Sequence, residues 1–223
     1  MTSRTRWLLA SAAVAVAIYV AMWIGFVSGW PWLVAMDTAA LDPAYRYGEL
    51  HPGWVTAWDA FCTVLGPYAF RLAGLVVLVA ALWRRNWRLV GFLLITAGLS
   101  GPLIELMKHL ADRPRPPTAL VFAYSLSFPS GHALGVMVGV LAVLAVVWPF
   151  VRPRLRWWLV VLGALIVIFI GVGRVVLNVH HPSDVIAGWA LGYAYFVVCL
   201  LLLPPWRSVT AADDKPEVPD TAR

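Results

Sequence analysis

The chain has 223 residues, 61% of them hydrophobic and 13% charged, with a mean hydropathy of +0.80. Soluble domains hold about half apolar residues, so the composition excludes the water-soluble globular class. The net charge of +6 does not mark a nucleic-acid binder, because the arginines sit in short clusters between apolar runs and not along one basic face.

In chain order, six stretches reach the roughly 20 apolar residues that a spanning helix needs. The first covers residues 7–27. Arg4 and Arg6 before it give it the look of a secretory signal, but the run continues through Trp23 and Phe26 without a polar cleavage segment, so a retained helix is expected. Residues 30–58 follow as a loop with Asp37, Asp42, Glu49 and His51, either a lid over the outer mouth or a simple connector. The second span ends at Trp83 and starts between Val55 and Pro67. Arg71 lies inside it, a costly position unless a partner such as Asp59 or Glu105 is in reach, or unless an interfacial helix precedes a span that starts near Gly66. The third span covers 89–110, the fourth 131–150, the fifth 155–177 and the sixth 183–203. The expected fold class is all-α: a polytopic membrane protein with six transmembrane helices in one bundle over residues 1–205. The polar tail, 206–223, carries prolines and acids and reads as disordered.

Arginine placement gives the bundle a sidedness. Arg4 and Arg6, then Arg84, Arg85 and Arg88, then Arg152, Arg154 and Arg156, then Arg207 and Lys215 all fall on one side of a six-pass chain, the cytoplasmic one by the positive-inside rule. Both termini are then cytoplasmic in a plasma (inner) membrane. Cys62 and Cys199 fall near opposite sides and read as packing residues without a disulfide. Gly135 and Gly139, and Gly188 and Gly192, recur at four-residue spacing, which suits close helix packing within one chain. Oligomeric state is left open.

Nearly all remaining polar chemistry lies in three segments, KHLADRPRP at 108–116, PSGH at 129–132 and GRVVLNVHHPSD at 173–184, each bordering a non-cytoplasmic loop. In PSGH, Ser130 is a natural N-cap for the fourth span, and Gly131 and His132 fall in its first turn. The unpaired N–H groups of a helix start suit an anion, and Gly131 permits close approach. Arg174 sits near the end of the fifth span, His180 in the turn, and Asp184 in the first turn of the sixth span after Pro182. A carboxylate across a turn from an imidazole holds one ring nitrogen and leaves the other free to attack. Lys108 adds a compact point charge and Arg115 a planar fork for phosphate oxygens. Asp112 and Arg113 are expected to pair locally or to rim the site, and His181 to be secondary. Two imidazoles, a carboxylate and three cations at the rims of apolar helices describe an anion site for phosphoryl transfer at a lipid surface.

Together the segments resemble the type 2 phosphatidic acid phosphatase superfamily of membrane lipid phosphatases, which also includes soluble acid phosphatases and vanadium haloperoxidases. Its first signature, lysine, six residues, Arg-Pro, is met by Lys108 with Arg115 and Pro116. Its second, Pro-Ser-Gly-His, is complete at 129–132. Its third, Ser-Arg, five residues, His, three residues, Asp, reads Gly173, Arg174, His180 and Asp184, with glycine in place of the serine and one hydroxyl contact to phosphate lost. The resemblance implies that His180 attacks phosphorus and becomes a phosphohistidine, that Asp184 orients it, and that His132 protonates the leaving oxygen and then helps activate water. It implies phosphate binding by Lys108, Arg115, Ser130, Gly131 and Arg174. No metal and no cofactor is implied, and the sequence offers no carboxylate cluster for divalent ions.

The expected substrate is a membrane lipid phosphate in the phospholipid bilayer: phosphatidic acid, phosphatidylglycerol phosphate or a polyprenyl diphosphate. A phosphotransferase with a sugar or lipid hydroxyl as acceptor, and a non-catalytic membrane transporter or structural protein, are the alternatives. The last fits less well, because transporters place polar groups near the midplane.

Overall fold

The computed structural model describes residues 1–206, so the tail lies almost wholly outside the described residues. Nine α-helices are found among them: α1 (Ser3–Val27), α2 (Pro31–Leu50), α3 (Pro52–Val64), α4 (Pro67–Trp83), α5 (Trp87–Leu93), α6 (Leu99–Ala111), α7 (Gly131–Val147), α8 (Pro153–Val176) and α9 (Pro182–Leu202). Five of them open on proline, whose fixed φ suits the first helical position and whose missing N–H is an orphan there anyway. Thr2, Asn86 and Ser130 cap α1, α5 and α7 through their side chains.

Six helical stretches are long and apolar enough to cross a membrane: Ser3–Val27, Pro52–Trp83, Trp87–Ala111, Gly131–Phe150, Pro153–Val176 and Pro182–Leu202. The chain is therefore an all-α, six-span membrane bundle. The second stretch is broken at Leu65 and Gly66, where α3 ends and Pro67 starts α4. Arg71 thus stands just one turn into α4. Its guanidinium lies 5.6 Å from the Tyr68 ring, and neither Asp59 nor Glu105 forms an ion pair with it. The third stretch is interrupted by a π-turn at Leu94–Gly98. Pro102 lies inside α6, four residues after Gly98, so its ring faces the carbonyl that an α-helix would place there, and the wider turn relieves that contact.

The 30–58 segment is not a loop. It forms α2 and the start of α3, with Leu33, Asp37 and Leu41 buried against the bundle at i, i+4 and i+8. His51, at the junction, stacks on Tyr47 and stays exposed.

Helix α9 occupies the centre, packed between α1 and α7. Small residues allow the approach: a Cβ on Gly188 would stand 2.6 Å from the Ser130 carbonyl oxygen, and one on Gly192 would stand 2.9 Å from that of Leu134. Gly135 and Gly139 of α7 meet Pro67 and Phe70 of α4 in the same way. Cys62 and Cys199 are free and buried. The end of α6, the starts of α7 and α9, and the end of α8 share one end of the bundle. The Ser130 amide donates to the Asp184 carbonyl at 2.9 Å and ties two of them together.

Candidate active site

The shared end gathers all eight residues singled out from the sequence. Two left-handed turns aim the chain into it. Asp112 (φ 47°) ends α6, and its N–H donates to the carbonyl oxygen of Lys108. Asn178 (φ 54°) ends α8, and its side chain is fixed by the Thr118 hydroxyl at 2.8 Å and the Leu41 carbonyl at 3.2 Å. The second turn drops His180 into the bundle, where its side chain is 1% exposed.

The two ring nitrogens of His180 meet opposite chemistry. Nδ1 faces Asp184 Oδ2 at 3.5 Å, and Nε2 lies 3.2 Å from Arg115 Nη1. The carboxylate at Nδ1 favours the tautomer with its proton there, which leaves a lone pair on Nε2. Burial pulls the imidazole down to about 4 against the upward pull of Asp184, with Arg115 and Arg174 adding to the depression. His180 is therefore neutral at physiological pH, the state a nucleophile needs.

Asp184 is fully buried. Its Oδ2 accepts from the Ser127 hydroxyl, from the His181 amide at 2.8 Å and from His181 Nδ1 at 3.1 Å. His181 is thus nearer the carboxylate than His180 is, and it serves as the N-cap partner of Asp184 in the first turn of α9.

The cations converge from three elements. Lys108 Nζ donates to Ser125 Oγ at 2.6 Å. Arg115 donates to the carbonyls of Ser125, Tyr124 and Val179, so its guanidinium is fixed by backbone. Burial among like charges, Arg174 foremost, brings it down to about 10, still fully charged at neutral pH. Arg174 is buried in α8 with no partner for Nε among the described residues. His132, half-buried, has Lys108, Arg115, Arg174 and His180 around it. Ser130 Oγ accepts from the Ala133 amide, and a Cβ on Gly131 would lie 4.0 Å from Lys108 Nζ, so the α7 N-terminus opens beside that ammonium.

Arg113 departs from expectation. It neither pairs with Asp112, which is exposed, nor rims the site. It is buried and bonds Asp184 Oδ1 at 2.6 Å and Asp37 Oδ2 at 2.8 Å. Asp37, Ser125 and Ser127 were not singled out either. Asp37 had left a signal, since it shares a face with Leu33 and Leu41 in a stretch that reads as helical once the period is counted.

Gly173, the departure from the third signature, is explained by packing. A Cβ there would stand 2.5 Å from Cys62 Sγ and 2.8 Å from the Trp58 ring. That direction leads into the α3–α8 contact. Gly173→Ser is accordingly expected to destabilise the fold by about 1–3 kcal/mol, read as a lower Tm in detergent, and Cys62→Ala beside it should recover part of the loss. An unchanged Tm for the single variant would contradict this packing.

Among the described residues, no group of three or more His, Cys, Asp or Glu side chains is placed to hold a metal ion. The PAP2 superfamily model matches residues 86–208. The chain belongs to the PAP2 superfamily. It is 31% identical over 149 residues to a phosphatidylglycerophosphatase B of Bacillus subtilis, covering 64% of this chain and 72% of that one. An undecaprenyl-diphosphatase of Sulfolobus acidocaldarius is 31% identical over 124 residues, 52% and 56% of the two chains. A lipid A 1-phosphatase of Rhizobium johnstonii is 30% identical over 169 residues, 67% and 64%. The fold matches the crystal structure of a transmembrane PAP2-type phosphatidylglycerolphosphate phosphatase from Bacillus subtilis with a TM-score of 0.67 at 24% identity, over 87% of this chain and 94% of that one. This PAP2 protein is a membrane lipid phosphatase.

Proposed function

We propose that this PAP2 enzyme removes the terminal phosphate of a membrane lipid phosphate through a phosphohistidine on His180, without a metal, at the extracytoplasmic face. The observation that carries the reading is the His180 ring, with a carboxylate behind Nδ1 and a guanidinium beside Nε2. A phosphate oxygen seated there takes over the Arg115 hydrogen bond and brings phosphorus to the Nε2 lone pair. As the N–P bond forms, charge spreads over three equatorial oxygens. Lys108, Arg115 and Arg174, with the Gly131 amide and Ser130, are the donors that stabilise it. His132 gives a proton to the departing oxygen, then takes one from the water that cleaves the N–P bond. Asp184 supports the positive charge that forms on the His180 ring.

Three observations support an extracytoplasmic site: the clustered arginines at the opposite end, the six-span count and the site at the loop-bearing end. The substrate class rests on the relatives, which act on phosphatidylglycerophosphate, undecaprenyl diphosphate and lipid A by their names. We favour a broad lipid phosphatase that also accepts a diphosphate. The test is a set of initial rates with phosphatidic acid, phosphatidylglycerol phosphate and a polyprenyl diphosphate, each with and without a strong chelator. Phosphate release that persists in chelator for at least one lipid is expected. A strict divalent-ion requirement, or no release from any of the three, would overturn the reading.

A further inference from the structure

Asp184 Oδ2 is shared by Ser127, His181 and the His180 ring, but Oδ1 is held by Arg113 alone among the described residues. The Arg113 guanidinium therefore sets the rotation of the carboxylate, and with it the edge that meets His180. Its own position comes from the N-terminal helices. Nη2 bonds Asp37 Oδ2 of α2 at 2.8 Å, Nη1 also reaches Ser183 Oγ at 2.7 Å, and the guanidinium carbon lies 4.6 Å from the Phe26 ring of α1. Asp37 in turn accepts from the Ser183 amide at 2.9 Å and its hydroxyl at 2.6 Å, so a carboxylate 146 residues away caps the first turn of α9. Asp37 and Phe26 lie outside the 86–208 segment matched by the family model.

We propose that Arg113, clamped by Asp37, is a positioning residue for the Asp184–His180 couple, which makes α2 part of the catalytic apparatus. The proposal rests on the reading of His180 as nucleophile. One guanidinium between two buried carboxylates leaves this cluster with one net negative charge. That charge is shared with the imidazole, so the cluster controls how readily His180 takes a proton. The other groups facing His180 are Arg115 from the loop, Arg174 of α8, Lys108 of α6, His132 of α7 and His181 beside it. None of them hydrogen-bonds Arg113 or Asp37, whose side-chain partners are Ser183, Asp184 and each other.

A mere staple between α2 and the bundle would lower stability and leave the pH profile alone. A positioning charge gives opposite signs at its two ends. The wild-type acid limb of kcat/KM is expected below pH 5, since His180 stays neutral down to about 4. Arg113→Met leaves two carboxylates uncompensated, favours the imidazolium and should raise that limb by about one unit. It should also lower kcat by about 10- to 100-fold, with KM little changed. Asp37→Asn removes one of the negative charges, so its limb should move down by a few tenths of a unit, with a smaller fall in kcat. Arg113→Lys keeps the charge without the fork and should hold the limb while recovering only part of kcat. Where Arg113→Met fails to fold, the Arg113→Met/Asp37→Asn double variant, with Asp184 as the one remaining carboxylate, should still show a raised limb relative to Asp37→Asn. Equal acid limbs across the folded variants, or a shift of the same sign in Arg113→Met and Asp37→Asn, would overturn the proposal. Undiminished turnover by His180→Ala, measured in the same series, would instead sink the reading of the nucleophile on which it rests.

Discussion

Replacing His180 by alanine is expected to lower kcat for every lipid phosphate by at least about 10⁴-fold, because the group that forms the new bond is gone while the phosphate cradle stays. Lys108, Arg115 and Arg174 are positioned by α6, by backbone carbonyls and by α8, none of which depends on the imidazole. The variant should therefore keep its fold and still bind inorganic phosphate or a phosphate mimic such as vanadate with affinity within about tenfold of wild type. Arg115 loses a contact at 3.2 Å but retains three carbonyl acceptors. Turnover within tenfold of wild type would contradict the assignment. Loss of both turnover and anion binding would show that His180 supports the cradle and does not attack.

The second large effect is expected at His132, and it should depend on the leaving group. An alkoxide leaves badly without a proton, a phosphate monoester leaves more easily, and a nitrophenolate needs almost no help. His132→Ala should therefore cost about 10²- to 10⁴-fold on phosphatidic acid, less on a polyprenyl diphosphate, and least in the first turnover of p-nitrophenyl phosphate. The same side chain is needed again to activate water. With the nitrophenyl ester the variant should then show a burst of nitrophenolate followed by slow turnover, as the phosphoenzyme accumulates. Equal losses on all three substrates, with no burst, would remove the acid–base role and leave His132 as a structural neighbour of Lys108 and Arg174.

The architecture was legible where a single physical cause dominates. Six apolar runs of bilayer length announce six spans, and Pro67 after Gly66 marks the break in the second. The gathering of Lys108, Arg115, Ser130, His132, Arg174, His180 and Asp184 at one end follows from topology, since the ends of α6 and α8 and the starts of α7 and α9 must lie together. The clamp behind Asp184 was hidden for a different reason. Asp112 and Arg113 are neighbours of opposite charge, which reads as a local pair. The left-handed backbone at Asp112 sends the two side chains into different surroundings, one exposed and one buried. The partner of Arg113 is Asp37, 76 residues earlier, on a helix whose apolar face is too short to stand out among membrane spans. The packing demand on Gly173 was hidden for the same reason, since Cys62 and Trp58, which leave no room for a Cβ there, are distant in sequence.

The central claim is a covalent bond between phosphorus and His180 Nε2. Rapid quenching of wild type with a lipid carrying a labelled terminal phosphate tests it most directly. The account predicts label on the peptide containing His180, stable in base and labile in acid as a phosphoramidate is, formed and consumed at rates that match turnover. Label on another residue, or full-rate phosphate release with inversion at phosphorus and no trapped protein, would contradict it.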